Sequence, residues 1–109
     1  MNYRVELTKQ AQADLDALYA YIAFSLQSPI NAAGQLDRLQ AEIRSLDHMP
    51  YRYRKFETEP WAARGVRVMP VDHYLVLYIP DDEAALVVVL RVLYGGRDID
   101  RELLTHSEL

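Results

Sequence analysis

The chain contains no cysteine, an absence that removes disulfides, thiolate metal sites and cysteine nucleophiles together and fits a reducing compartment. Long apolar runs are missing as well. The longest reach about ten residues and are broken by Arg91, short of the ~20 that cross a bilayer, and Met1-Asn-Tyr-Arg-Val5 lacks the apolar region of a signal peptide. A soluble cytoplasmic protein with no membrane partner is the expectation. The histidines His48, His73 and His106 are scattered, with no His-x-x-x-His pair and no aspartate ladder, so neither a metal nor a cofactor is expected. No glycine-rich run leads into Lys and Ser or Thr, which excludes a phosphate loop, and nothing resembles a nucleophile elbow.

What is present suits one domain over residues 1–109, since half of the 109 residues are hydrophobic and this length leaves no room for a second core. The net charge of −4 has the wrong sign for a protein that coats nucleic acid nonspecifically. Its distribution is uneven. Residues 51–80 carry Arg52, Arg54, Lys55, Arg64 and Arg67 against Glu57, Glu59 and Asp72, whereas residues 81–109 carry three arginines against seven acids. Basic character is therefore confined to a patch, which reads either as a solvated loop or as a binding surface.

Tyr3-Arg-Val-Glu-Leu7 alternates like a short strand, and Thr8 after it is a good N-cap. Helix one follows, with Ala11, Leu15, Leu18, Ile22 and Leu26 as its inward stripe and Gln12, Asp14, Asp16 and Gln27 largely away from it. Ser28-Pro29 supplies a cap and a proline at the first position of helix two, which runs to Ser45 or Leu46. Its expected stripe is Ile30, Ala33, Leu36, Leu39 or Gln40, Ile43 and Leu46. Two helices joined this closely form an antiparallel hairpin.

Asp47-His-Met-Pro50 ends helix two, and the polar, aromatic loop of residues 51–63 is longer than most connections in a compact domain. From Gly65 the period becomes two. Strands are expected over residues 66–69, stopped or bulged by Pro70, then over 74–79 and 85–94, joined as an antiparallel meander with a turn at Pro80-Asp-Asp-Glu83. Val87-Val-Val-Leu90 is apolar on both faces, which places it inside the sheet, covered by the hairpin on one side and by the C-terminus or a partner on the other. Residues 98–104 suit a last helical turn. The fold class is α+β, an N-terminal helical hairpin packed on a small antiparallel β-sheet.

Read together, Tyr3-Arg-Val-Glu-Leu7, Ala11-x-x-Asp-Leu15, Tyr21-Ile22, Pro29, Leu46-x-x-Met-Pro50, Tyr74-x-Val-x-Tyr78 and Arg91-Val-Leu-Tyr-Gly-Gly-Arg-Asp98 resemble the RelE/ParE superfamily of bacterial type II toxins. The resemblance spans nearly the whole chain, and the order and spacing of the motifs carry it rather than any one of them. It implies a growth-inhibiting toxin with a cognate antitoxin as partner, and a target that differs between two branches.

RelE-like members resemble ribosome-dependent endoribonucleases acting on messenger RNA, where the 2′-hydroxyl must be activated, the phosphorane charge neutralised and the leaving oxygen protonated. Under that reading the candidate catalytic residues are Arg67, His73, Arg91, Tyr94 and Arg97, converging at one sheet end. That branch usually places a basic residue directly after the first tyrosine of the middle strand, and here the position is Leu75. ParE-like members resemble inhibitors that bind DNA gyrase, and Ala13-Asp-Leu-Asp-Ala-Leu-Tyr-Ala-Tyr-Ile22 and Leu90-Arg-Val-Leu-Tyr94 are closer to them. The ParE-like branch is favoured. Arg52, Arg54, Trp61, Arg91 and Arg97 are the candidate target-binding residues, and a non-toxic interaction domain is the remaining alternative.

Each of these residues also has a plainer reading. His73 suits a turn and His48 a loop, Arg91 inside an apolar strand calls for a partner such as Asp98 or Glu6, Trp61 can cap the core, and Gly95-Gly96 suits a turn.

Overall fold

The computed structural model describes residues 2–95. Strand β1 (Arg4–Leu7) leads into helix α1 (Lys9–Ala20), which passes into a π-helical turn (Tyr21–Ser25) before helix α2 (Pro29–Arg44) returns antiparallel to it. Short 3₁₀ turns at Ser45–Asp47 and Pro50–Arg52 lead to β2 (Arg54–Lys55), and β3 (Arg67–Val71), β4 (Tyr74–Asp81) and β5 (Leu86–Tyr94) complete one five-stranded sheet in the order β1-β5-β4-β3-β2. The helices lie on one face of it. Among the described residues no helix is long and apolar enough to cross a membrane.

The expected meander is present, with β3, β4 and β5 pairing antiparallel in sequence order. Two features go beyond it. β1 pairs parallel to β5, Val5 opposite Val87 and Leu7 opposite Val89, which the long helical crossover between them permits. The connection after helix two is not a plain loop, because β2 pairs with the start of β3, Arg54 opposite Val68. Pro70 does not stop β3. It lies beyond the two-residue β2, on an edge where its missing N–H breaks no ladder bond. The irregularity falls elsewhere: the step from Leu77 to Tyr78 faces the step from Arg91 to Val89, so β5 carries an extra residue, a bulge.

Thr8 starts α1 as expected, its hydroxyl accepting from the Ala11 N–H at 3.0 Å and donating to the Leu90 carbonyl at 2.8 Å, so one side chain caps the helix and ties it to β5. Ser28 makes no side-chain cap, and Pro29 alone marks the start of α2. The inward face of α2 is Ala32, Gln35, Leu39 and Ile43, followed by Leu46: Leu39, Ile43 and Leu46 hold the expected stripe with Leu36 half-buried beside them, whereas in the first half Ala32 and Gln35 turn inward and Ile30 and Ala33 face solvent. Leu26 likewise lies outside α1 and is exposed. Gln35 accounts for the departure in the first half of α2. Its amide donates to Asp72 in the β3–β4 turn at 2.9 Å, a burial of a polar side chain that apolar periodicity does not register.

Both faces of the sheet are buried. On the helical face Ala11, Leu15, Leu18, Leu39, Ile43 and Leu46 pack on Met69, Val76, Tyr78, Val87 and Val89. On the other, Phe56, Trp61 and Val66 cover Val68, Leu77, Leu90 and Leu93. Among the described residues the second cover is the chain's own long connection; the C-terminus expected there lies outside them. Leaving Leu77, Leu90 and Leu93 wet would forfeit about 1.5–3 kcal/mol each, and the connection folds back to prevent it. Bonds from Phe56 N–H to the Val66 carbonyl (2.8 Å) and from Ala62 N–H to the Thr58 carbonyl (3.0 Å) hold it there, and Gly65 takes the positive φ of 81° that its turn needs.

Candidate functional site

An open groove of about 960 Å³ lies between the helical hairpin and the sheet end at which β4 begins and β5 finishes. Tyr21, Ile22, Leu26 and Ile30 line it from the hairpin, and His73, Tyr74 and Tyr94 from the sheet. Tyr74 and Tyr94 are cross-strand partners whose rings meet edge to face at 5.9 Å between centroids. Burial pushes the Tyr74 hydroxyl above its ordinary value. The walls are thus apolar and aromatic.

Among the described residues that line the groove, Asp14, Arg91 and Arg38 carry charge, and each is held in an ion pair. At its floor Asp14 of α1 holds Arg91 of β5 with both oxygens, Nε to Oδ2 at 2.8 Å and Nη2 to Oδ1 at 2.9 Å, and Oδ2 also accepts from the Val92 N–H at 2.9 Å beside the bulge. The Arg91 and Asp14 side chains are 7% and 15% exposed. Of the expected partners, Glu6 pairs with Arg4 instead, and Asp98 lies outside the described residues. Nor does Asp14 lie away from the inward stripe. It stands three residues after Ala11 and four before Leu18, on the same helical face. At the upper edge Arg38 donates to Asp72 at 2.9 Å, and its hydrogen bond, with that of Gln35, holds the Asp72 carboxyl below the usual carboxylate range.

The structure brings His73, Arg91 and Tyr94 of the candidate catalytic set to this groove and leaves Arg67 out of it. Arg67 pairs with Tyr78, four residues along β4 from the Tyr74–Tyr94 pair, roughly 13 Å at strand spacing. Its guanidinium donates to the carbonyls of Tyr51 (3.1 Å) and Tyr53 (2.7 Å) and stacks over the Tyr51 ring at 4.8 Å. His73 is an exposed turn residue whose carbonyl accepts from the Gly95 N–H. His48, for which the sequence offers no obvious acid, meets Asp47 at 2.5 Å.

The candidate target-binding set also divides. Arg52 is a clamp, donating to the carbonyls of Ser45, His48 and Met49 and to the Ser45 hydroxyl. Arg54 is exposed on β2, and Trp61 is 5% exposed in the second core with Arg64 over its ring. Trp61 is a core residue rather than a surface anchor. Arg97 lies outside the described residues, as do the expected helical turn at 98–104 and His106. Asp14, Tyr21 and Ile30 were missed as groove residues. The signal for Asp14 was available, since the one charge in an apolar strand needs an acid and Asp14 is the acid on the buried face of α1.

The sequence profile described as "ParE toxin of type II toxin-antitoxin system, parDE" matches residues 5–99. The chain belongs to the ParE toxin family of type II toxin–antitoxin systems. No curated protein sequence matches it. Among solved structures it is similar to the chromosomal ParDE toxin–antitoxin system from P. aeruginosa, with a TM-score of 0.69 and 20% identity over 84% of this chain and 95% of the other. The RelBE2 toxin–antitoxin complex from Mycobacterium tuberculosis gives a TM-score of 0.61 and 26% identity over 89% and 95% of the two chains. The archaeal RelE–RelB complex from Pyrococcus horikoshii OT3 gives 0.60 and 19% over 89% and 99%. These likenesses place two helices on a five-stranded, mostly antiparallel sheet within the RelE/ParE superfamily of toxins. They are shared by both branches.

Proposed function

We propose that this ParE-family toxin arrests growth by binding DNA gyrase in the cytoplasm, and that a cognate antitoxin silences it. The observation that carries the choice of branch is the pairing in the groove: Arg91 is neutralised by Asp14 and Arg38 by Asp72. Cleavage of RNA requires cations free to take up the charge of a phosphorane, and a guanidinium already held by a carboxylate on the same chain does that poorly. Leu75 stands where a nuclease would carry a further cation, and Arg67 is spent on two backbone carbonyls at the other end of the strands. What the groove offers is an aromatic and aliphatic surface, the kind that recognises protein. The toxin–antitoxin complexes among the similar structures support the antitoxin as partner.

Induced expression tests this reading. Growth arrest with DNA damage and filamentous cells, relieved by the co-expressed antitoxin, is the expected outcome, with primer extension finding no discrete cuts within codons. Discrete cuts that vanish in His73→Ala or Tyr94→Phe assign the chain to the messenger-cleaving branch instead. Free growth without an antitoxin, and no antitoxin that co-purifies, leaves a non-toxic interaction domain.

A further inference from the structure

From Ala17 to Leu36 the chain carries no charged residue, although a quarter of the whole sequence is charged. This stretch forms the tip of the helical hairpin. Its backbone is irregular in a way that decides what it shows to solvent. Leu26 N–H bonds the Tyr21 carbonyl at 3.0 Å, five residues back, so the turn at Tyr21–Ser25 is π-helical and holds one residue more than an α turn. That extra residue sets back everything after it. Leu26, four positions after Ile22 and due on the inward stripe, ends 57% exposed, while Ala23 takes the buried place. Gln27 then adopts a φ of 54° and reverses the chain into α2, where Ile30 is 87% exposed and Phe24 stands 74% exposed on the tip.

Side chains of this size exposed together in one short segment are uncommon in a free-standing soluble protein, and irregular π turns concentrate at functional sites. The charge pattern selects the class of occupant. Nucleic acid is gripped by cations that neutralise phosphates, and an interfacial membrane helix flanks its apolar face with Lys and Arg; the tip has neither. A protein surface whose centre is depleted of charge and anchored by aromatic and aliphatic side chains is what remains.

We propose that Phe24, Leu26 and Ile30 at the hairpin tip form the surface that grips the protein target, docking into an uncharged apolar recess on it. The proposal rests on the gyrase reading above and adds which part of the chain makes the contact. Phe24 lies outside the lining of the groove, whereas Leu26 and Ile30 form part of its rim. A charge at Phe24 therefore interrogates the tip without entering the groove.

The experiment measures binding of purified DNA gyrase holoenzyme to the immobilised wild-type chain and to Phe24→Asp, Phe24→Ser and Ile30→Asp, with Gln12→Asp on the exposed face of α1 as control. Thermal melts and antitoxin co-purification run beside it. Expected is at least a tenfold loss of gyrase affinity in both aspartate variants, a smaller loss in Phe24→Ser, and melts and antitoxin capture like wild type. Undiminished gyrase binding by folded variants overturns the proposal, as does loss of antitoxin capture with gyrase binding retained. A wild-type dimer that Phe24→Asp converts to a monomer, gyrase binding unchanged, assigns the tip to self-association instead. If the wild-type chain itself does not bind gyrase, the gyrase reading fails and this proposal with it.

Discussion

Asp14 and Arg91, 77 residues apart in sequence, form the bidentate pair that joins the first helix to the last described strand. Because the pair is largely buried, removing one partner costs more than the pair contributes: the remaining charge loses its counter-ion in a low-dielectric setting. Asp14→Ala is expected to destabilise the fold by about 3 kcal/mol, and the double variant Asp14→Leu/Arg91→Leu by clearly less. Urea unfolding of the two measures this. Equal losses in both would assign the stability to packing rather than to charge.

Arg67 is expected to be structural. Its guanidinium satisfies the Tyr51 and Tyr53 carbonyls and stacks on Tyr51, geometry that a lysine ammonium does not reproduce. Arg67→Lys and Arg67→Ala should both lower the melting temperature, the alanine variant further, with gyrase affinity kept below the melt. A variant that melts like wild type yet no longer arrests growth contradicts this assignment and returns Arg67 to the functional set.

Tyr78 sets a limit on the alkaline side. Its buried hydroxyl donates to the Pro50 carbonyl at 2.6 Å, and burial pushes its pKa up to about 12 from 10.0. The folded state thus holds the phenolic proton more tightly than the unfolded chain does. The stability this confers is complete below pH 10, the unfolded value, and is lost as pH rises toward 12. Tyr78→Phe should cost about 1–2 kcal/mol at neutral pH, a fall of several degrees in melting temperature, and should flatten the alkaline decline. An alkaline unfolding profile identical in both proteins would remove Tyr78 from the account.

The acid side depends on Asp82 and Asp72. The Tyr3 hydroxyl donates to Asp82 at 2.6 Å and that of Tyr51 at 2.9 Å, drawing β1 and the turn after α2 to the β4–β5 turn, and these bonds hold the Asp82 carboxyl below its usual range. Asp72 is lowered in the same direction by Arg38 and Gln35. Groups whose folded values are depressed stabilise the fold above the unfolded value, about 3.9, and lose that contribution as pH falls from there through the lower folded value. Asp82→Asn should therefore lower the melting temperature at pH 7 and narrow the difference from wild type below pH 4. A gap that widens on acidification reverses the sign and refutes the linkage.

Much of the fold was legible because local chemistry fixes it. Thr8 and Pro29 open the two helices, the change of period after Gly65 marks the three long strands, and the doubly apolar run of β5 identifies the strand buried on both faces. What escaped depends on contacts distant in sequence. Nothing local in Arg4–Leu7 specifies a parallel partner in β5, and the first half of the α2 stripe departs from expectation where Gln35 is buried against Asp72. The π turn, a single extra residue, carried Leu26 out of a stripe that α-helical spacing had drawn through it. At the site, residue types were legible while their engagements were not: Arg52 and Arg67 read as basic surface and are carbonyl clamps, and Trp61 reads as an anchor and is core.

The most direct measurement of the central claim is a supercoiling assay with purified DNA gyrase, run beside a ribosome programmed with a defined transcript. The account predicts that adding the purified chain stops supercoiling, that prior addition of the antitoxin prevents this, and that the transcript stays intact. Gyrase that supercoils at full rate while the transcript is cut at discrete positions would contradict it.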